Sequence, residues 1–159
     1  MLLVALGCGY SAGCGYSAGY RLPAGVFKLS VPIFENKTFP IRREIEFELT
    51  RAVRQELELR TDAELVASRR ADAVLEGIIL EVREGVLVEG LGQVAEESSL
   101  FVRVQIRLVR TSDGSVILDR IISDRESFSK GQAETLDEAR LEAIRKISKR
   151  IVDEMEPWT

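Results

Sequence analysis

The sequence predicts an α+β fold: a mostly antiparallel four-stranded sheet with two helices packed on one face. Three observations predict it. Long stretches alternate apolar and polar residues with the period of a strand, an Asp-Gly turn joins two of them, and two other segments repeat apolar residues every three or four positions. The chain has 159 residues, 45% hydrophobic and 30% charged, enough to bury one core with little room for a second. Its 22 basic and 26 acidic side chains are interleaved and leave a net charge of -4, so the basic footprint of a nucleic-acid binder is missing and any anionic partner must meet a local patch. There is no histidine, which removes the commonest general base, zinc ligand and pH switch and argues against an enzyme.

The chain divides into three parts. Residues 1–7 read as the remnant of a signal peptide: Met1 to Leu6 is wholly apolar, and Gly7-Cys8 has the small-residue-then-cysteine form of a bacterial lipoprotein cleavage site. This run is far shorter than the roughly 20 residues that span a bilayer. Residues 8–25 read as a Gly/Ser/Tyr tether in which the unit Cys-Gly-Tyr-Ser-Ala-Gly occurs twice, beginning at Cys8 and at Cys14. Either cysteine can accept the lipid; Cys8 is favoured because it directly follows the apolar run. A disulfide across so short a Gly-rich step would constrain little, so acylation, with chains such as palmitate, is the better use of the thiol.

Residues 26–159 form the folded domain. Phe27, Leu29, Val31 and Ile33 alternate with Lys28, Ser30 and Pro32, as in a strand with one face buried, and Pro32 marks an edge or an early end. Ile41, Ile45, Leu49, Val53 and Leu57 recur every four residues, which predicts an amphipathic helix with Pro40 in its first turn and Arg60-Thr61-Asp62 at its end. Glu64 to Ala67 is a candidate minor strand. Ala73 to Val88, rich in Val, Ile and Leu and interrupted by Gly77 and Gly85, reads as a long strand with bends. In Ser99 to Arg110 the residues Leu100, Val102, Val104, Ile106 and Leu108 face one way, and Phe101, Arg103, Gln105, Arg107 and Val109 the other. Thr111 to Ser115 supplies the hairpin turn, so a further strand runs from Val116 to about Phe128. Gln132 to Met155 closes the chain as a helix with Leu136, Ala139, Ala143, Ile144, Ile147, Ile151 and Met155 in its apolar stripe; Thr135 and Glu138 have capping-box spacing.

In their order, five features resemble the lipopolysaccharide-assembly lipoprotein family LptE: the Cys-Gly-Tyr start, Val31-Pro32-Ile33-Phe34-Glu35-Asn36-Lys37-Thr38-Phe39, the helix around Glu48-Leu49-Thr50-Arg51-Ala52-Val53, Ala71-Asp72-Ala73-Val74-Leu75-Glu76-Gly77, and the meander that follows. The resemblance covers nearly the whole chain after the leader. It implies a non-enzymatic lipoprotein of the outer membrane, lipid-anchored on the periplasmic side, that assists lipopolysaccharide assembly as plug and partner of the β-barrel LptD. One departure stands out: where the family often carries Gly-x-x-Ala-Glu-Tyr, this chain has Gly92-Gln93-Val94-Ala95-Glu96-Glu97, with an acid in place of the aromatic. The alternative function is that of a related periplasmic lipoprotein, a secretion-channel component or a peptidoglycan-synthase activator.

Candidate site residues follow. Arg103 and Arg107 share one strand face about 13 Å apart, a span suited to the phosphates of lipopolysaccharide, which the guanidinium fork binds with two hydrogen bonds. The competing reading is a solvated sheet face. Lys130 resembles a position where the family places a basic residue near its lipopolysaccharide-contacting end, against the plain reading of a surface lysine. Leu91 and Val94 are apolar residues in an otherwise polar loop, hence candidate contacts to the barrel, unless they tuck back onto the sheet. Glu44, Glu46, Glu48, Glu56 and Glu58 read as a solvated helix face with i,i+4 pairing. No catalytic residue, metal or cofactor is expected.

Overall fold

The computed structural model describes residues 22–88, 97–129 and 136–155. In chain order the elements are β1 (Lys28–Ser30), β2 (Glu35–Asn36), α1 (Ile45–Arg60), β3 (Glu64–Leu65), a 3-10 turn (Ser68–Arg70), β4 (Ala73–Val88), β5 (Glu97–Arg110), β6 (Val116–Ser129) and α2 (Leu136–Asp153). The α+β class and the two helices agree with the sequence reading. The sheet does not: it has six strands and is mixed, in the order β3-β1-β4-β5-β6 with β2 also on β4. Only the β4-β5-β6 meander is antiparallel; β1, β2 and β3 pair in parallel. The reason is the connection. A helix between β1 and β3 returns the chain to the end from which it started, which is the requirement for a parallel neighbour.

The expected first strand is split at Pro32. Leu29 lies opposite Ala73 and Glu35 opposite Ile78, so six residues on one strand span five on the other. The interruption leaves two backbone groups without ladder partners, and α1 supplies them. Arg54 donates from Nε (2.9 Å) and Nη2 (2.5 Å) to the Val31 carbonyl, and the Phe34 N–H donates to Thr50 Oγ1 at 2.9 Å. Satisfying such groups is obligatory once they are out of water. Phe34 itself is driven inward, 2% exposed, above Gly77.

α1 begins four residues later than its periodicity suggests. Asn36 Nδ2 donates to the Arg42 carbonyl (2.7 Å) and to Glu46 (2.8 Å), while the Arg42 N–H donates to Thr38 Oγ1 (2.9 Å), so the loop before the helix is an ordered polar turn. Pro40 therefore lies outside the first turn, and Ile41 is 70% exposed rather than part of the stripe. The predicted end at Arg60 holds, with the Thr61 N–H donating to the Leu57 carbonyl.

One core joins everything. Leu49, Val53 and Leu57 of α1, Ala143, Ile144, Ile147 and Ile151 of α2, and Leu100, Val102, Val104, Ile106 and Leu108 of β5 are all buried in it. α2 packs on β5 and β6 and against α1. At the β5–β6 turn Gly114 has φ 70° and Asp113 Oδ1 accepts from the Ser115 N–H and hydroxyl, as the Asp-Gly pair predicts.

Candidate functional site

The meander has an inner face, covered by α2, and an open face. Register places the open-face side chains in rows across the three strands β4, β5 and β6. Glu76, Arg107 and Asp119 form one row; Ile78, Gln105 and Ile121 the next; then Glu81, Arg103 and Ser123; then Arg83, Phe101 and Arg125. The period-two pattern of β5 and β6, and of β4 on either side of the irregularity between Ile79 and Glu81, puts these residues on the same side, and strand pairing brings them within contact.

The two arginines singled out from the sequence do lie on this one face, in different electrostatic settings. Arg107 is half-buried between two carboxylates, 3.6 Å from Glu76 and 3.6 Å from Asp119. Arg103 is exposed, with Glu81 opposite it on β4, but Glu81 pairs with Arg83 instead, at 2.9 Å. Arg83 and Arg125 in turn lie over the Phe101 ring, with guanidinium carbons 4.4 and 5.7 Å from its centre. The result is two cations, Arg83 and Arg125, on one aromatic ring, with Arg103 and Glu81 in the adjacent row. It sits at the end of the sheet where β4 leads out and β5 returns. Sequence reasoning missed Arg83 and Arg125, because their meeting at Phe101 depends on the register of three strands and not on any local motif; alternation on β6 was the available signal for Arg125, whereas the irregularity between Ile79 and Glu81 takes Arg83 out of the phase set by Glu76 and Ile78.

Cys8, Cys14, Leu91, Val94 and Lys130 lie outside the described residues. A second exposed feature, also missed, is the loop before α1, where Phe39 is 98% exposed and Ile41 follows it. The helical reading of Ile41 concealed it.

The acidic face of α1 is not simply solvated. Glu48 turns to Arg140 of α2, which donates from Nη1 to both Glu48 oxygens (3.0 and 2.9 Å) and reaches Glu84 of β4 through Nε at 3.1 Å. Glu56 is buried. Above the Arg140 pairs lies an open cleft of about 590 Å³ lined also by Arg43, Glu44 and Asp137. Just before β4, Asp72 accepts from the N–H groups of Lys28 (2.7 Å) and Phe27 (2.9 Å), and these bonds hold its carboxyl below the usual aspartate range. Asp113 is lowered likewise by the Ser115 N–H and hydroxyl. Among the described residues no group of three or more Cys, Asp or Glu side chains is placed to hold a metal ion. No described helix is long and apolar enough to cross a membrane.

Comparison with known proteins adds the family. Among solved structures, the fold is similar to the hypothetical protein CT253 from Chlamydia trachomatis, with TM-score 0.51 and 12% identity over 80% of this chain and 96% of that one. It is also similar to a minor lipoprotein from Acinetobacter baumannii, with TM-score 0.49 and 16% identity over 81% and 91%. At such identities the likeness concerns the fold alone. No curated protein matches the chain. A family model described as lipopolysaccharide-assembly, LptE, matches residues 28–156, from the first residue of β1 to just beyond α2. That match takes in every element whose packing has been described, and with it the chain belongs to the LptE lipopolysaccharide-assembly family.

Proposed function

We propose that this protein is an outer-membrane lipoprotein, anchored through Cys8 (alternatively Cys14) on the periplasmic side, that assists lipopolysaccharide assembly as plug and partner of an LptD-type β-barrel. The supporting observation is the open sheet face: Arg83 and Arg125 lie on Phe101 at one end of a meander with the exposed Arg103 in the next row, an arrangement suited to the phosphates and apolar parts of an amphiphilic anion. Arg103 contributes an exposed guanidinium and Arg107 a cation already shared with Glu76 and Asp119; Lys130, which follows β6 in the sequence, is assigned to the same ligand. Contacts to the barrel are assigned to Leu91 and Val94 in the β4–β5 connection and to the exposed Phe39 and Ile41, whose apolar surface is not used by the core. The role is one of binding and positioning, with no catalytic group and no cofactor.

The test is co-expression with the barrel. Wild type is expected to co-purify with it; Leu91→Asp/Val94→Asp and, separately, Phe39→Asp/Ile41→Asp are expected to lose co-purification while the isolated lipoprotein melts at an unchanged temperature. A lowered melting temperature would reassign the substituted residues to internal packing. Failure of wild type to co-purify with any barrel, or recovery of a secretion channel or a peptidoglycan synthase in its place, would overturn the assignment.

A further inference from the structure

β6 is the last strand of the sheet, and among the described residues no element pairs with its outer edge. The strand is 14 residues long, and its ladder with β5 runs without a register shift from Leu118 to Ser129. Every second residue therefore turns an N–H and a C=O away from the sheet, a template on which another strand can add.

The charges along this edge, Asp119-Arg120-Ile121-Ile122-Ser123-Asp124-Arg125-Glu126, decide what fits it. When two copies of one strand pair antiparallel, the two residues of each facing pair both turn their amides toward the partner strand or both turn them away, so their positions differ by an even number. The two-fold axis must then pass through a residue and its own copy. With the axis at Ile122, Asp119 meets Arg125 of the second copy and Arg120 meets Asp124; symmetry makes each pair twice, and no like charges meet. The Asp119 pair falls on the open face and the Arg120 pair on the helix side, so both faces of the joined sheet are matched. Neighbouring registers do worse. An axis at Ile121 brings no opposite charges together, one at Ser123 brings only Arg120 to Glu126, one at Arg120 sets arginine against arginine, and one at Asp124 sets aspartate against aspartate. Asp119, Arg120 and Arg125 are exposed and Asp124 half-buried; Asp119 already accepts from Gln105 and pairs with Arg107, and Arg125 lies over Phe101, so the Arg120–Asp124 pairs contribute most. Ile121, 54% exposed, would cover Ser123 of the second copy. An edge guarded against its own kind would carry like charges at mirrored positions; this one carries opposite charges there.

We propose that β6 is a self-recognition edge, through which two copies of this chain pair antiparallel about Ile122 and join their sheets into one. The inference does not rest on the barrel or on lipopolysaccharide, although Asp119 and Arg125 also belong to the open face assigned to lipopolysaccharide. Sedimentation velocity of the full unacylated chain, over a range of concentrations and at low salt, tests it, with far-UV circular dichroism of each variant beside it. Wild type is expected to show a monomer–dimer equilibrium that weakens as salt is added. Arg120→Asp, which sets Asp against Asp124 twice, is expected to weaken dimerisation by at least about tenfold, as is Asp124→Arg. The double variant Arg120→Asp/Asp124→Arg exchanges the signs and is expected to dimerise again. Arg120→Gln, a milder change at an exposed side chain, keeps the test open should a charge reversal unfold the domain, and is expected to give a smaller loss. A wild type that stays monomeric throughout, a dimer indifferent to these substitutions, or a folded double variant that fails to recover would overturn the proposal.

Discussion

The ring of Phe34 occupies the space that a side chain on Gly77 would need: a Cβ on Gly77 would fall 2.4 Å from Cγ and Cδ1 of Phe34. The ring cannot step aside, because it is fully enclosed, and its own N–H is tied to Thr50 on α1. One glycine thus lets the interrupted β1–β2 edge close over the middle of β4.

Gly77→Ala is therefore expected to destabilise the domain by about 1–3 kcal/mol through overpacking, despite Ala being the better strand residue. Phe34→Leu alone leaves a gap and also lowers stability. The two together should cost less than the sum of the separate losses, since the smaller side chain makes room for the new methyl. Denaturant unfolding of the four proteins checks this, and simple additivity would show that the two residues do not oppose each other in solution.

Arg140 holds three elements at once, α2 through its own backbone, α1 through Glu48 and β4 through Glu84. Replacing it with Met leaves the two carboxylates partly buried and unpaired, at an expected cost of about 1–2 kcal/mol, reduced because all three side chains retain some contact with solvent. Arg140→Lys should fall between, keeping the charge without the paired donors. Thermal melts at low and high salt distinguish an ionic loss from a packing loss: the difference between wild type and Arg140→Met should narrow as salt is raised.

The lowered pKa of Asp72 carries a sign. Its folded carboxyl, stabilised as the anion by the Lys28 and Phe27 N–H groups, titrates below the unfolded one, so the unfolded chain takes up a proton first. The stability it contributes is complete above the ordinary aspartate range, near pH 4, and is lost as the pH falls through and below that range. Asp72→Asn should lower the urea midpoint at neutral pH and bring the variant and wild-type midpoints together on acidification. Midpoints that stay separated by the same amount down to pH 2.5 would exclude the carboxylate as the origin. Asp113 acts in the same direction and would keep part of the acid sensitivity in the variant.

On the open face, Arg103→Gln/Arg107→Gln should reduce lipopolysaccharide binding, and Arg83→Gln/Arg125→Gln should reduce it further by removing the cations above Phe101. Binding by wild type should weaken with salt, because exposed charges are screened over about 10 Å at 0.1 M. Removal of Arg107 also takes the cation from Glu76 and Asp119, so the single variant Arg103→Gln is the cleaner measure of phosphate contact. Binding unchanged in all three variants, with the fold intact by circular dichroism, would return the face to a solvated surface.

Much of the domain was legible because it is written locally. The long strands β4, β5 and β6 were located to within about two residues, and the buried Ala143, Ile144, Ile147 and Ile151 of α2 lie on the predicted stripe. Alternation, helical periodicity and the Asp113-Gly114 turn each depend on residues only a few positions apart. The start of α1 was misread because Ile41 shares the helix's spacing, while hydrogen bonds among Asn36, Thr38 and Arg42 hold that segment as a turn.

The sequence by itself thus determined the α+β class, the meander, both helices and the presence of arginines on the outward phase of β5. Tertiary structure decided the rest. Leu29 is opposite Ala73, which lies 44 positions later in the chain and beyond a helical crossover, and no local pattern encodes that parallel partner. Nor does a local pattern encode the meeting of Arg83, Phe101 and Arg125, which come from three strands, or of Phe34 with Gly77. The physical reason is common to all of them: periodicity says which face a side chain occupies, whereas register, set by the whole core packing at once, says which side chain it meets.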